Sequence, residues 1–254
     1  MKKILKAFLM FGLLLLLLAA CSSGGDADTA SDSSNNDDAN NEETSTESDG
    51  EKLNLKMQVT TNESSTWYIA AQKLADDIEK ETNGRITIEV YPNEQLSGGD
   101  QGKAVEMLSK GNLDLSFHST IIYSILDERF GVVSAPFLFK NLEEADQALN
   151  GAGGEAIKEI LREIGIEPLG FGENGFRQVT NNVRPIKTPE DVEGLKIRIP
   201  GITMYTDLWR ELGANPATMS FSEVITSLQQ NVIDGQENPI DAIHAYKLHE
   251  VQKY

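Results

Sequence analysis

From Leu53 onward, apolar residues recur with the periods of strands and helices. Leu53, Leu55, Met57 and Val59 alternate with polar neighbours, which predicts a strand with one face buried. Asn62-Glu63-Ser64-Ser65 supplies turn and cap residues. Ala70, Ala71, Leu74, Ala75 and Ile78 then follow helical spacing, and Asn83-Gly84 ends that helix. Ile86, Ile88 and Val90 predict a second strand, stopped by Tyr91-Pro92. Ala104, Val105 and Leu108 predict a second helix, closed by Gly111, and Leu113, Leu115 and Phe117 a third strand. Strands and helices in this alternation imply parallel pairing with crossover helices, an α/β fold.

The pattern continues through the second half. Ser134 to Phe137 reads as an apolar loop, and Asn141 with Glu144 three residues on resembles a helix start. Helical stretches follow at Leu142 to Leu149 and Gly154 to Ile164. A strand is expected at Ile166 to Phe171, with a domain boundary just after it. Thr188-Pro189-Glu190-Asp191 carries a cap residue, then proline at the first helical position. In GLKIRIPG (Gly194 to Gly201), Leu195, Ile197 and Ile199 alternate with Lys196 and Arg198, as in a half-buried strand. Pro200 and Gly201 stop it. Arg198 therefore falls at the carboxyl end of a strand, facing away from its apolar neighbours, where α/β sheets meet ligands. A helix over Ile202 to Leu212 is closed by Gly213. Ser220 and Glu223 form a capping box opening a helix over Phe221 to Gln230. Val232 and Ile233 lead into DGQENP (Asp234 to Pro239), and another helix starts at Pro239 to Tyr246.

Before Leu53 the pattern differs. Lys2, Lys3 and Lys6 precede an apolar run from Ala7 to Ala20, a signal peptide by charge and by a length short of a membrane span. It ends Leu18-Ala19-Ala20-Cys21, which resembles the lipobox of bacterial lipoproteins, with Cys21 as the lipid-modified residue. Cys21 is the only cysteine, so no intramolecular disulfide can form. Ser22 to Gly50 is Ser-, Asp-, Asn-, Glu- and Thr-rich, has no aromatic residue, and cannot bury enough apolar surface to fold. The division expected is 1–21 leader, 22–50 acidic tether, 51–172 first α/β domain and 173–254 second α/β domain. The formal net charge over 254 residues is −18, which makes nucleic acid a poor partner.

Few motifs carry chemistry. Gly170 to Gly175 matches GxGxxG after the expected strand, but Phe176 to Val183 continues as strand and turn. A dinucleotide site needs a helix opening there instead. His118, His244 and His249 make no HExxH, and there is no CxxC or GxSxG. No catalytic constellation, metal site or cofactor is expected. Two arginines on expected strands remain, Arg177 and Arg198. Each fits either a surface or interdomain salt bridge or the bidentate grip of a carboxylate.

At these residues the chain resembles the solute-binding subunits of tripartite ATP-independent periplasmic (TRAP) transporters, the DctP-like family. The resemblance runs from Leu53 to Tyr254. It rests on GLKIRIP, MSFSEVITSLQQNVIDGQENP (Met219 to Pro239) and NGFRQVTNN (Asn174 to Asn182), with ETNGRITIEVYPNEQL, GNLDLSF and SAPFLF beside them. It implies a periplasmic-binding-protein-like fold of two α/β domains closing over a small organic acid, such as a C4-dicarboxylate or sugar acid. It implies that Arg198 pairs with the ligand carboxylate, Arg177 adds a polar contact, Asn238 bonds the carboxylate, Phe221 packs beside the ligand and Asn62 contacts it from the first domain. His118 and Ser119 are a weaker match to pocket-lining positions. Partners implied are the small and large membrane subunits, with the membrane itself held through the lipid on Cys21 at the extracytoplasmic face. Members of the family continue well beyond the position of Tyr254, so a C-terminally incomplete copy is expected. A lipid-anchored sensor of the same fold, or an enzyme acting on an acidic metabolite, remain the competing readings.

Overall fold

The computed structural model describes residues 50–254. The leader, Cys21 and all of the tether except Gly50 lie outside the described residues.

Three parallel strands form the first sheet. They are β1 (Leu53–Val59), β2 (Ile86–Tyr91) and β3 (Leu115–Phe117), in the order β2-β1-β3. Helix α1 (Thr66–Glu81) crosses between β1 and β2. Ser65 caps it by accepting the Tyr68 N–H at 3.1 Å, satisfying one of its free donors. Its buried face is Trp67, Ala71 and Ala75, four residues apart, so they stack on one side. Trp67 and Ala71 with Met57 and Val59 make the small core of this sheet. Helix α2 (Gln101–Ser109) leads to β3.

Helices α3 (Leu142–Leu149) and α4 (Ala152–Glu163) follow two 3-10 segments, Thr120–Ile125 and Glu128–Ser134, which the apolar pattern did not reveal. Asn141 caps α3 through the Glu144 N–H. The strand expected at Ile166 to Phe171 is not formed. Pro168 has no N–H to give a ladder, no strand among the described residues lies beside it, and Leu169 is 77% exposed.

The second sheet holds β4 (Arg177–Asn181), β5 (Lys196–Ile199), β6 (Asn215–Thr218) and β7 (Gly235–Pro239), in the order β4-β7-β5-β6. β4 runs antiparallel to β7, and the other pairs are parallel. β6 carries Pro216 and shows no alternation, so the pattern gave no sign of it. Its edge position tolerates the missing donor. Helix α5 (Thr203–Glu211) joins β5 to β6, and α6 (Val224–Gln229) joins β6 to β7. The helix expected from Pro239 is short, α7 (Ile240–Ala245). Lys247 in a left-handed conformation, φ 52°, separates it from α8 (Leu248–Val251).

The largest core cluster joins Ile121, Phe130, Ile157 and Leu161 to Ile197, Ile199, Tyr205 and Trp209. It draws on both sides of the expected boundary at 172–173. β5 is therefore buried on both faces, not half-buried. Ile197 and Ile199 are 0% exposed and Arg198 is 2% exposed. On the polar face, Met219 and Phe221 from the segment after β6 lie against Arg198.

Candidate functional site

Arg198 is held in the middle of the second sheet, level with Ala217 of β6 and Gln236 of β7. Its Nε and Nη2 both donate to the Met219 carbonyl, at 3.0 and 2.7 Å. Its guanidinium sits 5.5 Å from the centre of the Phe221 ring. No carboxylate among the described residues pairs with it. Burial lowers its pKa to about 10, with the nearby Arg177 charge lowering it further and Glu237 opposing. It is therefore charged at neutral pH and short of anionic company, a costly state for a buried cation.

Arg177, at the start of β4, is in a different situation. Its Nε and Nη2 meet the Glu237 carboxylate, and Nη2 also donates to the Glu237 carbonyl at 2.8 Å and to Asn238 Oδ1 at 3.2 Å. Burial by itself would lower its pKa, but the Glu237 charge and hydrogen bond reverse that and raise it. Arg177 is thus in a salt bridge, but a mostly buried one within a single sheet and not at a surface or between domains; Arg198 is in none among the described residues. Behind them a chain of amides fixes the wall. Asn238 Nδ2 donates to Gln236 Oε1 at 2.6 Å, and Gln236 Nε2 to Thr180 Oγ1 at 2.9 Å.

Arg177, Arg198, Phe221 and Asn238 line one cavity of about 40 Å³. At roughly 10–15 Å³ per water, that is room for about three waters, the scale of a carboxylate head. Arg177, Arg198 and Asn238 come from the second sheet and Phe221 from the turn after β6, while Thr60 and Ser119 follow β1 and β3 and Trp67 is on α1. It adjoins a larger groove of about 1390 Å³, and Trp67, Ser119, Ile121, Asn174 and Arg177 line both. His118 lines the groove and not the small cavity.

Of the residues expected at the site, four come together and Asn62 stands apart. Its Nδ2 donates to the Ala245 carbonyl at 2.8 Å, and its Oδ1 accepts the Ser64 N–H. It is one of several contacts that tie the loops after β1 and β2 to the α6–α7 region. Tyr246 OH donates to Asn93 Oδ1 at 2.8 Å, and Ser222 Oγ to the Gly99 carbonyl at 3.2 Å. Glu237, Glu94 and Tyr246 were not anticipated. Glu237 could have been, since it adjoins Asn238 in QENP and a buried arginine needs a counter-charge.

Residues 57–254 match the family described as bacterial extracellular solute-binding protein, family 7, DctP. The chain belongs to this family. A solute-binding protein of Roseobacter denitrificans is 36% identical over 83% of this chain and 64% of its own length. The 2,3-diketo-L-gulonate-binding periplasmic protein of Escherichia coli is 33% identical over 79% of this chain and 61% of its own. The chain thus spans just under two thirds of these curated family members. Among solved structures, a TRAP periplasmic solute-binding protein from Ralstonia eutropha H16, with bound (S)-2-acetolactate, superposes with TM-score 0.77 at 36% identity. The match covers 79% of this chain and 64% of that one. The two-domain α/β fold of periplasmic binding proteins is therefore the fold of this family member. The GxGxxG run at Gly170 to Gly175 is followed by strand β4 and not by a helix.

Proposed function

We propose that this chain captures a small organic acid outside the cytoplasm and delivers it to the membrane subunits of a TRAP transporter, by binding and not by catalysis. One observation carries the reading: Arg198 is a buried guanidinium with no carboxylate partner among the described residues, lining a cavity the size of a carboxylate. A planar fork that already holds Met219 through one edge can offer its free Nη1 to an acid. The named ligands of the family members above, an acetolactate and a diketogulonate, are carboxylic acids.

In this reading Arg198 is the anion clamp. Asn238 adds an amide donor, Phe221 walls the ligand, and Arg177, braced by Glu237, contributes a second polar edge. Asn62 acts on closure through Ala245. The acidic residues elsewhere do not prevent anion capture, because exposed charges are screened beyond about 8 Å at physiological salt. The division into two domains at 172–173, cleavage before Cys21, its lipidation, and the tether that holds the folded body off the extracytoplasmic membrane face belong to the same proposal.

The test is a thermal-shift and calorimetric screen of organic acids against the purified chain, with Arg198→Ala as control. Loss of a buried charge partner costs about 2–5 kcal/mol. At 1.4 kcal/mol per factor of ten, affinity should fall at least about thirtyfold. Arg198→Lys should also bind poorly, since an ammonium cannot reproduce the fork. Near-normal affinity in Arg198→Ala would sink the clamp.

A further inference from the structure

Three Asn-Gly pairs occur in the chain, at Asn83, Asn150 and Asn174. In such a pair the glycine nitrogen can attack the asparagine side chain, because glycine has no Cβ to block the approach. The attack needs a glycine N–H that is not engaged elsewhere and an asparagine whose backbone can turn toward it. The three pairs differ in both respects.

Asn83 follows the end of α1, in a left-handed turn with φ 51°. The Gly84 N–H donates to the Glu79 carbonyl at 2.8 Å, so its nitrogen is engaged. Asn150 ends α3, with its own N–H on the Asp146 carbonyl at 2.8 Å and the Gly151 N–H on the Ala148 carbonyl at 3.3 Å. Both pairs would have to unwind a helix end first. Asn174 is not held in this way. It belongs to the GxGxxG run that no nucleotide site explains, and residues 166–176 form neither helix nor strand. Among the described residues the Gly175 N–H has no acceptor. Gly175 is exposed, and a Cβ there would meet nothing within 4 Å. The Asn174 carboxamide donates only to Ser119 Oγ, at 3.4 Å, too long a contact to fix it. Asn174 and Gly175 both line the groove, which is wide enough for water.

We propose that Asn174 deamidates through Gly175, and that the carboxylate so formed closes the cavity to anionic ligands. The effect on binding rests on the carboxylate-capture reading above; the modification does not. The Gly175 nitrogen gives its proton to solvent and bonds to Asn174 Cγ. The Cγ–Nδ2 bond breaks, Nδ2 takes a proton from solvent, and ammonia leaves a succinimide ring. Water then adds to one of the ring carbonyls and breaks that carbonyl's bond to nitrogen. Opening at Cγ gives aspartate, and opening at the backbone carbon gives isoaspartate.

The position of Asn174 gives the products their consequence. It lines the small cavity with Arg177 and Arg198, and the groove with Arg177 and Lys187. The cavity, about 40 Å³, has room for one carboxylate head. A carboxylate on its wall repels an incoming one, since neighbouring like charges disfavour each other. It also competes for the guanidiniums as part of the same chain, at a high effective concentration that a dissolved acid must overcome. Isoaspartate further lengthens the main chain by one atom, three residues before Arg177 and its contact with Glu237.

The experiment ages the purified chain in warm buffer. Peptide mass mapping with isoaspartate detection follows the three asparagines, and calorimetry follows binding of galactonate and succinate. Conversion of amide to acid adds about one dalton. Modification should accumulate at Asn174 ahead of Asn83 and Asn150, with affinity at least about tenfold weaker in the converted chain. Asn174→Asp should start at that weakened affinity. Asn174→Gln, whose longer side chain does not close the same ring, should hold its starting affinity through the incubation. Cooperative thermal unfolding checks that each chain is folded, and the aged parent serves should Asn174→Asp not fold. No modification at Asn174, or modification of Asn83 or Asn150 ahead of it, overturns the assignment. Full conversion with unchanged binding, or an equal loss of affinity in Asn174→Gln, overturns the effect on binding and leaves carboxylate capture standing. A fresh folded chain that takes neither acid overturns carboxylate capture, and the mass map alone then decides the modification.

Discussion

Arg177 and Arg198 are the same residue type on neighbouring parts of one sheet, yet they do different work. What separates them is one carboxylate. Glu237 is 4% exposed and Arg177 21% at the side chain, so their pair is mostly shielded from water. Glu237→Gln leaves the Arg177 cation without its partner. Breaking a buried pair from one side costs up to about 3–5 kcal/mol, somewhat less here because Arg177 is a fifth exposed. Urea denaturation should show that loss, and Arg177→Met added to Glu237→Gln should recover part of it. An unchanged midpoint in the single variant would show that the pair contributes nothing. The alternation of GLKIRIP was enough to place Arg198 on a strand, but not to show that it lacks a counter-charge. That is set by residues 21 to 39 positions away, Met219 and Glu237 among them.

At the scale of elements, the site depends on how closely β4 lies along β7. Gly235 makes the approach possible. A Cβ there would stand 2.3 Å from the Thr180 carbonyl oxygen and 2.8 Å from Asn181 Cβ. Gly235→Ala should therefore push β4 away and lower stability by about 1–3 kcal/mol, the usual range for overpacking. It should also loosen the Arg177–Glu237 contact two residues along. A melting temperature equal to the parent's would contradict this close approach. The elements most legible in the sequence were those with a long clean period or a complete cap: β1, α1, β2 and the capping boxes at Thr188 and Ser220. Those missed had neither. β6 reads Asn-Pro-Ala-Thr and exists because β5 offers it an edge. The strand expected at Ile166 to Phe171 had apolar residues but no neighbour to pair with among the described residues.

For the whole molecule, the feature that matters is the set of contacts across the mouth of the cavity. Tyr246 joins Asn93 and Thr60 from one side and packs edge-on against Phe221 on the other, with ring centres 4.7 Å apart. It does not line the cavity itself. Tyr246→Phe keeps the ring and removes the donor. A hydrogen bond contributes about 1 kcal/mol net, so ligand affinity should fall roughly fivefold, mainly through faster release, as expected when a closed state is less populated. Stopped-flow dissociation separates this from a contact effect. A slower association with unchanged release would argue against a latch.

Local order in this chain was determined by sequence alone, because strand and helix periods, caps and the Pro-Gly stop after Arg198 act over a few residues. The family was legible for a related reason: its segments recur in order, and each carries its own local pattern. Tertiary structure decided which arginine is paired, that β5 is buried on both faces, and that Asn62 ties loops together apart from the cavity. It also buried Glu94 beside His118. Those outcomes depend on which distant side chains share a buried space, and no periodicity along the chain encodes that.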